Sequence, residues 1–239
     1  MAVDEKLIDR MFRVGAHFGY ARSRRHPSVS SYLFGLKGTV ELFDLEKTAE
    51  LLERAKEQVR TLASEGKTIL FVSGKAEAAA TVKKHAEKLG LPYVASRWIG
   101  GTLTNFPEIR KRTERLNDLT EMREKGELAK YTKLERLHID REIEELEQMF
   151  GGLRSLQKVP DALIVVDPKH EHIAVAEAAK MRIPVIGLLN SDCNAGQIAY
   201  PVPGNDASQK SVAFFIEELS AAYAEAKHAP APAPTQEEK

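Results

Sequence analysis

Basic side chains near the start of the chain have the chemistry of a nucleic-acid contact. Residues 11–40 contain no Asp or Glu, in a chain that has 35 basic and 35 acidic residues overall. The cationic residues of this stretch are Arg13, Arg22, Arg24, Arg25 and Lys37. Such cations neutralise phosphates, and the rings of Tyr20, His26 and Tyr32 can stack on unpaired bases. We therefore expect a one-sided contact with RNA or DNA, with a solvated basic face on an ordinary enzyme as the alternative.

Lys75 is a second candidate, because it follows a predicted strand and precedes a predicted helix. Gly74 and Lys75 lie at the N-terminus of that helix, where backbone N–H groups attract phosphate. The segment lacks both the G-x-x-x-x-G-K-[ST] and the G-x-G-x-x-G spacings that hold nucleotides. A backbone phosphate of RNA is therefore the preferred ligand for Lys75.

The most distinctive segment is 97–106, which contains the only Trp, a pair of glycines and several hydroxyl or amide side chains. Arg97, Thr104 and Asn105 can donate hydrogen bonds to a ligand that approaches the backbone. We predict that these three residues contact RNA and that Trp98 is a buried anchor.

The sequence predicts no catalytic residues, no metal and no cofactor. Residues 167–172 contain two imidazoles and two carboxylates, but they lack a metal-ligand spacing such as H-E-x-x-H. Cys193 has no His partner near it in the sequence, and no Ser lies in a G-x-S-x-G motif. The alternative is a hard cation held by Asp192 and Asp206, with His17 as a further ligand.

These loops are positioned by strands and helices that alternate from residue 67 onward, the pattern of a parallel sheet covered by helices on both faces. The predicted strands are 68–72, 92–95, 162–166, 184–188 and 199–202. The predicted helices between and after them are 75–89, 171–181 and 207–226. Before this core we predict a β-hairpin over 32–43 and a helix that is capped by Asp44 and ends at Gly66. The fold class is α/β, a Rossmann-like or flavodoxin-like sheet that binds ligands at the carboxyl ends of its strands.

Residues 106–151 are rich in charge and predict an inserted antiparallel coiled-coil hairpin. Thr132 and Glu135 form a capping box that restarts the second helix after a turn at Gly126. The apolar seam steps by three, four and seven residues along Ile109, Leu116, Leu119, Ile139, Ile143, Leu146 and Phe150. We favour a solvated exterior over a phosphate-binding surface for the many Glu and Arg residues there.

The predicted domain organisation is a discontinuous globular domain over 1–105 and 152–226, which carries a basic N-terminal arm and the β-hairpin. The coiled-coil insertion spans 106–151, and the Ala-Pro-rich tail of 227–239 is predicted to be disordered. The longest apolar runs are far shorter than the roughly 20 residues of a membrane span. No secretory signal is recognisable, and a single cysteine suits a reducing cytosol. We expect a cytoplasmic protein with no membrane contact and no small-molecule substrate.

Seven short motifs are spread along the chain. The first three are Gly-Ala-His-Phe-Gly at 15–19, Tyr-Leu-Phe-Gly at 32–35 and Leu-Glu-Lys-Thr at 45–48. The others are Arg-Trp-Ile-Gly-Gly-Thr-Leu-Thr-Asn at 97–105, Pro-Asp-Ala-Leu at 160–163, His-Glu-His-Ile-Ala at 170–174 and Pro-Gly-Asn-Asp at 203–206. Together they closely resemble the bacterial ribosomal protein S-two family of the small ribosomal subunit, and the resemblance runs from about residue 5 to 225. Tyr20 and His26 depart from the family, which usually has His and Trp-Asn at these places.

The resemblance implies a structural protein without enzymatic activity at the cleft between the head and the body of the small subunit. Its implied partners are small-subunit ribosomal RNA and neighbouring ribosomal proteins, including the large first protein, which captures messenger RNA. In this interpretation Arg22, Arg24, Arg25 and Lys37 neutralise RNA backbone, His17, Tyr20 and His26 stack on or hydrogen-bond bases, and Arg97 with Asn105 orients the rim. Two alternatives stay open: a nucleotide-dependent enzyme that uses Lys75 and the 97–105 loop, and a pure protein-docking module that uses 106–150.

Overall fold

The N-terminal part of the protein is a small antiparallel sheet preceded by a helix. The computed structural model describes residues 5–228. Helix α1 (Glu5–Arg13) leads into β1 (Phe18–Ala21), β2 (Leu33–Lys37) and β3 (Val40–Phe43), with two short 3₁₀ turns between β1 and β2. The strand order is β1-β3-β2, and both pairings are antiparallel. The predicted hairpin of 32–43 is therefore confirmed, and β1 adds a third strand that the sequence did not predict.

The main sheet has five parallel strands in the order β5-β4-β6-β7-β8. They are β4 (Ile69–Val72), β5 (Tyr93–Val94), β6 (Ala162–Val166), β7 (Val185–Leu189) and β8 (Tyr200–Pro203). Every residue of β4, β6 and β7 is buried, as expected for parallel strands covered on both faces. The predicted Rossmann-like α/β fold is confirmed.

Helices cover both faces of this sheet. They are α2 (Leu45–Ser64), α3 (Ala76–Leu89), α6 (His172–Met181) and α7 (Gln209–His228). Side chains of α1, α2, α3 and α7 share one core with Ile69 and Phe71, whereas α6 shares the other with Leu70 and Val72. Alternate residues of one strand thus point to opposite faces, which requires the continuous apolar run seen in the sequence. Asp44 caps α2 as predicted, because its carboxylate accepts from the backbone N–H groups of Glu46 and Lys47.

The segment between β5 and β6 forms two helices that pack on one another. They are α4 (Phe106–Glu124) and α5 (Lys133–Phe150). The predicted capping box is present, with the Glu135 carboxylate accepting from the Thr132 N–H at 2.8 Å. Six of the seven predicted seam residues are buried, and the seventh, Ile139, is partly buried. The hairpin interior joins the core beside α6, while the coiled-coil geometry and the domain boundaries stay predictions.

The basic stretch of 11–40 is held against the main sheet through Ser191, which follows β7. The Tyr20 N–H donates to Ser191 Oγ at 2.9 Å, and the His26 N–H donates to the Ser191 carbonyl at 2.8 Å. A Cβ atom at Gly19 would lie 3.2 Å from Ser191 Oγ and 3.2 Å from the Glu41 carbonyl, so this close approach favours glycine. None of the helices within 5–228 is long and apolar enough to cross a bilayer. Residues 227–228 of the predicted disordered tail are the last residues of the final helix, Gln209–His228, and the rest of that prediction, 229–239, lies outside the described residues.

Candidate nucleic-acid interface

The carboxyl ends of four parallel strands bring a buried ion cluster together. Lys75 follows β4, Asp167 follows β6, Asn190 follows β7, and Asp206 follows β8. Lys75 Nζ lies 2.8 Å from Asp167 Oδ2 and 3.0 Å from Asp206 Oδ2. Asp206 is fully buried, and its Oδ1 accepts from Asn190 Nδ2 at 2.7 Å. Lys75, a predicted RNA ligand, therefore has two internal counter-ions.

Burial and the neighbouring charges together shift the pKa values of Asp206 and Lys75. Burial, reinforced by the charge of Asp167, raises the pKa of Asp206 to about 6 despite the attraction of Lys75. Burial opposes the charged form of Lys75, but the two carboxylates outweigh it and raise the pKa of the ammonium group above its usual value. The lysine therefore stays charged at neutral pH and is committed to the protein interior.

The N-terminus of α3 is also occupied by a side chain of the protein. The Gly74 N–H donates to Glu171 Oε1 at 2.7 Å, and a Cβ atom at Gly74 would lie only 2.9 Å from that oxygen. A helix N-terminus attracts anions, and here the anion is an internal carboxylate. The Lys75 N–H donates to Ser73 Oγ at 3.3 Å, so neither N–H of the Gly74–Lys75 turn is open to a phosphate.

Glu177 on α6 organises the 97–105 loop, and the sequence analysis missed it. Its buried carboxylate accepts from the N–H groups of Gly101 at 2.7 Å, Leu103 at 3.0 Å and Thr104 at 3.1 Å. Trp98 Nε1 donates to it at 3.3 Å, and Trp98 is buried as predicted. Burial alone would raise the pKa of Glu177, but these donors lower it below the usual value. The only sequence signal was an acidic residue within the otherwise apolar run 173–179 of α6.

Both loops of the nucleotide-enzyme alternative are therefore closed by the protein's own carboxylates. Of the three predicted RNA ligands on the second loop, Thr104 donates its hydroxyl to Glu177 at 3.2 Å. The side chains of Arg97 and Asn105 are exposed. Within residues 5–228, Arg97 has no ion-pair partner, so its charge is available to a ligand.

The acidic groups at this edge do not form a free metal site. Among the described residues, one group of side chains is close enough together to hold a metal ion. It consists of Asp167, Cys193 and Asp206, whose candidate ligand atoms lie within 4.8 Å of one another. Lys75 already pairs with both carboxylates, and burial raises the pKa of the Cys193 thiol to about 12. Asp192 is paired with Lys169 at 2.8 Å. The alternative of a cation between Asp192, Asp206 and His17 thus gains no support.

Three of the five cations in the basic stretch have internal partners. Arg13 pairs with Asp9 at 2.7 Å, and Arg25 pairs with Glu41 at 3.2 Å. Arg24 lies 3.2 Å from Asp192 Oδ2, and its guanidinium also covers the Tyr20 ring at 4.3 Å. Within residues 5–228, Arg22 and Lys37 have no carboxylate at ion-pair distance. The stretch therefore has less unpaired positive charge than its lack of acidic residues predicts, because the partners lie elsewhere in the chain.

The predicted stacking residues have different surroundings. Tyr20 Oη accepts from Lys75 Nζ at 3.4 Å, so its ring lies between Arg24 and the ion cluster. His26 caps a 3₁₀ turn through Nδ1, which lies 2.8 Å from Ser28 Oγ. His17 stacks against neighbouring rings and is partly buried. His26 is thus engaged in local structure, whereas His17 belongs to an aromatic group.

Similarity to known proteins extends over most of the chain. A family model described as Ribosomal protein S2 matches residues 11–226. The chain belongs to the ribosomal protein S2 family. Three relatives share the name small ribosomal subunit protein uS2, and each aligns over 217 residues, which is 91% of this chain. They come from Sulfurimonas denitrificans (42% identical, 84% of the relative covered), Nitratiruptor sp. (40%, 81%) and Wolinella succinogenes (39%, 80%).

The S2 family consists of structural ribosomal proteins, not of enzymes, and the predicted resemblance is confirmed. The structure brings eight of the twelve predicted S2 site residues into three sets. Tyr20, Arg24 and Lys75 form one connected set, and His17 and Lys37 both lie beside the Phe18 ring. Arg97, Thr104 and Asn105 lie on the loop that Glu177 organises. Their contacts with RNA stay predictions.

Proposed function

We propose that this chain is a structural constituent of the bacterial small ribosomal subunit that binds small-subunit ribosomal RNA. The observation that carries the proposal is the family match over 11–226, together with relatives named small ribosomal subunit protein uS2. The geometry agrees with a binding role, because internal carboxylates occupy the donors that a nucleotide would use at Gly74 and Gly101. The protein would work in the cytoplasm as part of the subunit.

The RNA contact is assigned to the cations that remain unpaired within the described residues. Arg22 and Lys37 would neutralise phosphates at the small sheet, and Arg97 would do so at the rim of the main sheet. Arg24 is 55% exposed although it is paired, so it can bridge Asp192 and a phosphate. Arg25 and Lys75 would instead hold the fold in shape beneath this surface. Folded RNA is recognised mainly by shape and backbone, so few base-specific contacts are needed.

The finer part of the proposal concerns location and partners. We infer from the family resemblance that the protein lies between the head and the body of the subunit. There it would help to dock the large first small-subunit protein for messenger RNA capture. The α4–α5 hairpin is a suitable contact for a neighbouring protein, because Leu134 and Leu137 are exposed on α5 near its tip, at 64% and 45%.

Sedimentation of tagged protein from a lysate tests the proposed function. At high magnesium the protein should travel with small subunits and assembled ribosomes, and at low magnesium with the separated small subunits. A protein found mainly in the free soluble fraction under both conditions would contradict the proposal. The docking role is tested by measuring how much of the first small-subunit protein is bound to particles with and without this chain.

A further inference from the structure

Two exposed cations share one buried carboxylate at the carboxyl-end edge of the main sheet. Lys169 Nζ lies 2.8 Å from Asp192 Oδ2, and Arg24 Nη2 lies 3.2 Å from the same oxygen. The Asp192 side chain is 4% exposed, whereas the side chains of Lys169 and Arg24 are 53% and 55% exposed. Because both nitrogens contact one oxygen atom, the two cationic groups are neighbours at the surface and the carboxylate lies beneath them.

Both cations are also held by a second contact. The Arg24 guanidinium covers the Tyr20 ring at 4.3 Å, which restricts the plane of its donors. The Lys169 N–H donates to Asp167 Oδ1 at 3.2 Å, in the turn that follows β6. Within residues 5–228, each cation uses one side-chain donor, on Asp192, of the five in a guanidinium and the three in an ammonium group. The remaining donors are preorganised for a ligand, so little side-chain entropy is lost on binding.

The charge of this group fits one phosphate of a nucleic-acid backbone. Two cations and one carboxylate leave a single net positive charge, opposite to that of a phosphodiester. Guanidinium and ammonium groups are the usual phosphate ligands in proteins. Arg22, which has no carboxylate at ion-pair distance among the described residues, lies in the same 3₁₀ turn as Arg24 and extends the cationic surface.

We propose that Arg24 and Lys169 together bind one backbone phosphate of the ribosomal RNA, with Asp192 holding them in place. The inference rests on the proposed function and adds to it Lys169, which the sequence analysis did not identify. It also assigns a role to Asp192, whose charge would otherwise only weaken the attraction for RNA. One phosphate is expected for the pair, because removing either cation leaves the group with no net charge.

The test titrates the full-length protein onto small subunits that lack it, over a range of salt concentrations. Lys169→Gln keeps Arg24 as a partner for Asp192, so the fold survives, but binding should weaken about tenfold. The log-log salt slope should become smaller by about 0.7–0.9, the value for one phosphate. The triple variant Arg24→Gln/Lys169→Gln/Asp192→Asn leaves no buried charge unpaired and should change the slope by the same amount. Lys180→Gln, an exposed cation at the other end of α6, is the matched control and should change neither quantity.

Directed cleavage of RNA distinguishes a contact with RNA from one with a neighbouring protein. An iron chelate that generates hydroxyl radicals is tethered to Lys169→Cys, and the native Cys193 does not compete because it is fully buried. Radicals from this position should cut the ribosomal RNA of the small subunit at one short group of nucleotides. A chelate on Lys180→Cys should leave those nucleotides intact.

Equal salt slopes for Lys169→Gln and Lys180→Gln would overturn the inference. A triple variant whose slope changes by about twice as much as that of Lys169→Gln would mean two separate phosphates, and it would overturn the inference as well. If the chelate at position 169 cuts no RNA, the ligand of the two cations is not a phosphate of RNA and the inference is wrong. Wild-type protein that sediments with small subunits would preserve the proposed function in each of these cases.

Discussion

At the scale of single residues, buried carboxylates occupy the positions where related architectures hold a ligand. Glu171 binds the first N–H at the α3 turn, and Glu177 binds three backbone N–H groups of the 97–105 loop. A carboxylate that accepts several backbone hydrogen bonds is strongly stabilised in its charged form. The loops are therefore rigid without a ligand, which suits a protein that presents a fixed surface to RNA.

Glu177→Gln should destabilise the protein by about 2–3 kcal/mol at pH 7, because an amide NH₂ would face N–H donors that need an acceptor. The lowered pKa of Glu177 means that its contribution is present above the unfolded-state value, near 4.5, and is lost as the pH falls through the folded-state value. Urea unfolding at several pH values measures the difference. The exposed Glu144→Gln on α5 is the control and should have little effect. A difference between Glu177→Gln and wild type that persists undiminished at low pH would contradict this account.

Neighbouring arginines of the basic stretch should have separable roles. Arg25→Gln leaves Glu41, which is 1% exposed, as an unpaired buried carboxylate and should cost about 3 kcal/mol of unfolding free energy. Arg22→Gln should leave stability unchanged and lower the salt slope of RNA binding by about 0.7–0.9, because one phosphate contact is lost.

The measurements for this pair are urea unfolding and RNA titration over a range of salt. Lys84→Gln, an exposed cation on α3, is the matched control for charge and should alter neither quantity. If Arg22→Gln lowers the salt slope no more than Lys84→Gln does, Arg22 does not contact phosphate.

At the scale of elements, the sequence predicted the strands and helices whose apolar pattern is continuous or periodic. The ends of β4, β6, β7 and β8 fall within two residues of their predicted positions. The short β1 was missed because its four residues have no clear alternation and its partner, β3, lies about twenty residues away in the chain. Helix α1 was missed because it is short, and only Leu7 and Met11 mark its buried face.

The residue types of the candidate site could be predicted from the sequence, but the ion pairs that these residues form could not. The sequence identifies Arg24 and Lys75 as cations at the correct edge of the sheet. It does not reveal that Asp192, 168 residues from Arg24, neutralises that arginine. Ion pairs of this kind depend on how loops of separate strands converge, and no local pattern records the convergence.

Truncation of the α4–α5 hairpin separates its docking role from RNA binding. The root of the hairpin is part of the core, since Ile109, Leu146 and Phe150 are buried with the sheet. Removing residues 118–138 and joining the ends with a short Gly-Ser linker should therefore spare the fold and the RNA affinity. A pure protein-docking module would instead lose all binding to the subunit. Sedimentation and RNA titration, with circular dichroism as the fold control, distinguish the two results.

At the scale of the whole molecule, the net charge is neutral, but the charges are distributed unevenly. This uneven distribution allows one surface to bind a polyanion. The chain has 35 basic and 35 acidic residues, yet several of the acids that face the binding edge are buried against internal cations. A buried ion cluster costs desolvation energy that its attraction only partly offsets. The stability of the entire fold should therefore respond to the titration of Asp206.

Asp206→Asn should change how the free energy of unfolding depends on pH. The pKa of Asp206 is raised to about 6, so between about pH 4 and pH 6 the folded state holds a proton that the unfolded state releases. Its contribution to stability is therefore largest below pH 4 and falls as the pH rises through 6, by up to about 3 kcal/mol. Asparagine does not titrate, and its carbonyl can still accept from Asn190 Nδ2.

Urea unfolding of both proteins at pH 4.5, 5.5 and 7.5 measures this effect. Relative to wild type, Asp206→Asn should gain stability with each step upward in pH, because the cost of ionising the buried carboxyl is absent. Lys75 keeps Asp167 as a partner at 2.8 Å in the variant, so its own charge stays compensated. Wild-type protein that gains stability over Asp206→Asn as the pH rises would mean that the Lys75 pair outweighs burial and lowers the pKa of Asp206.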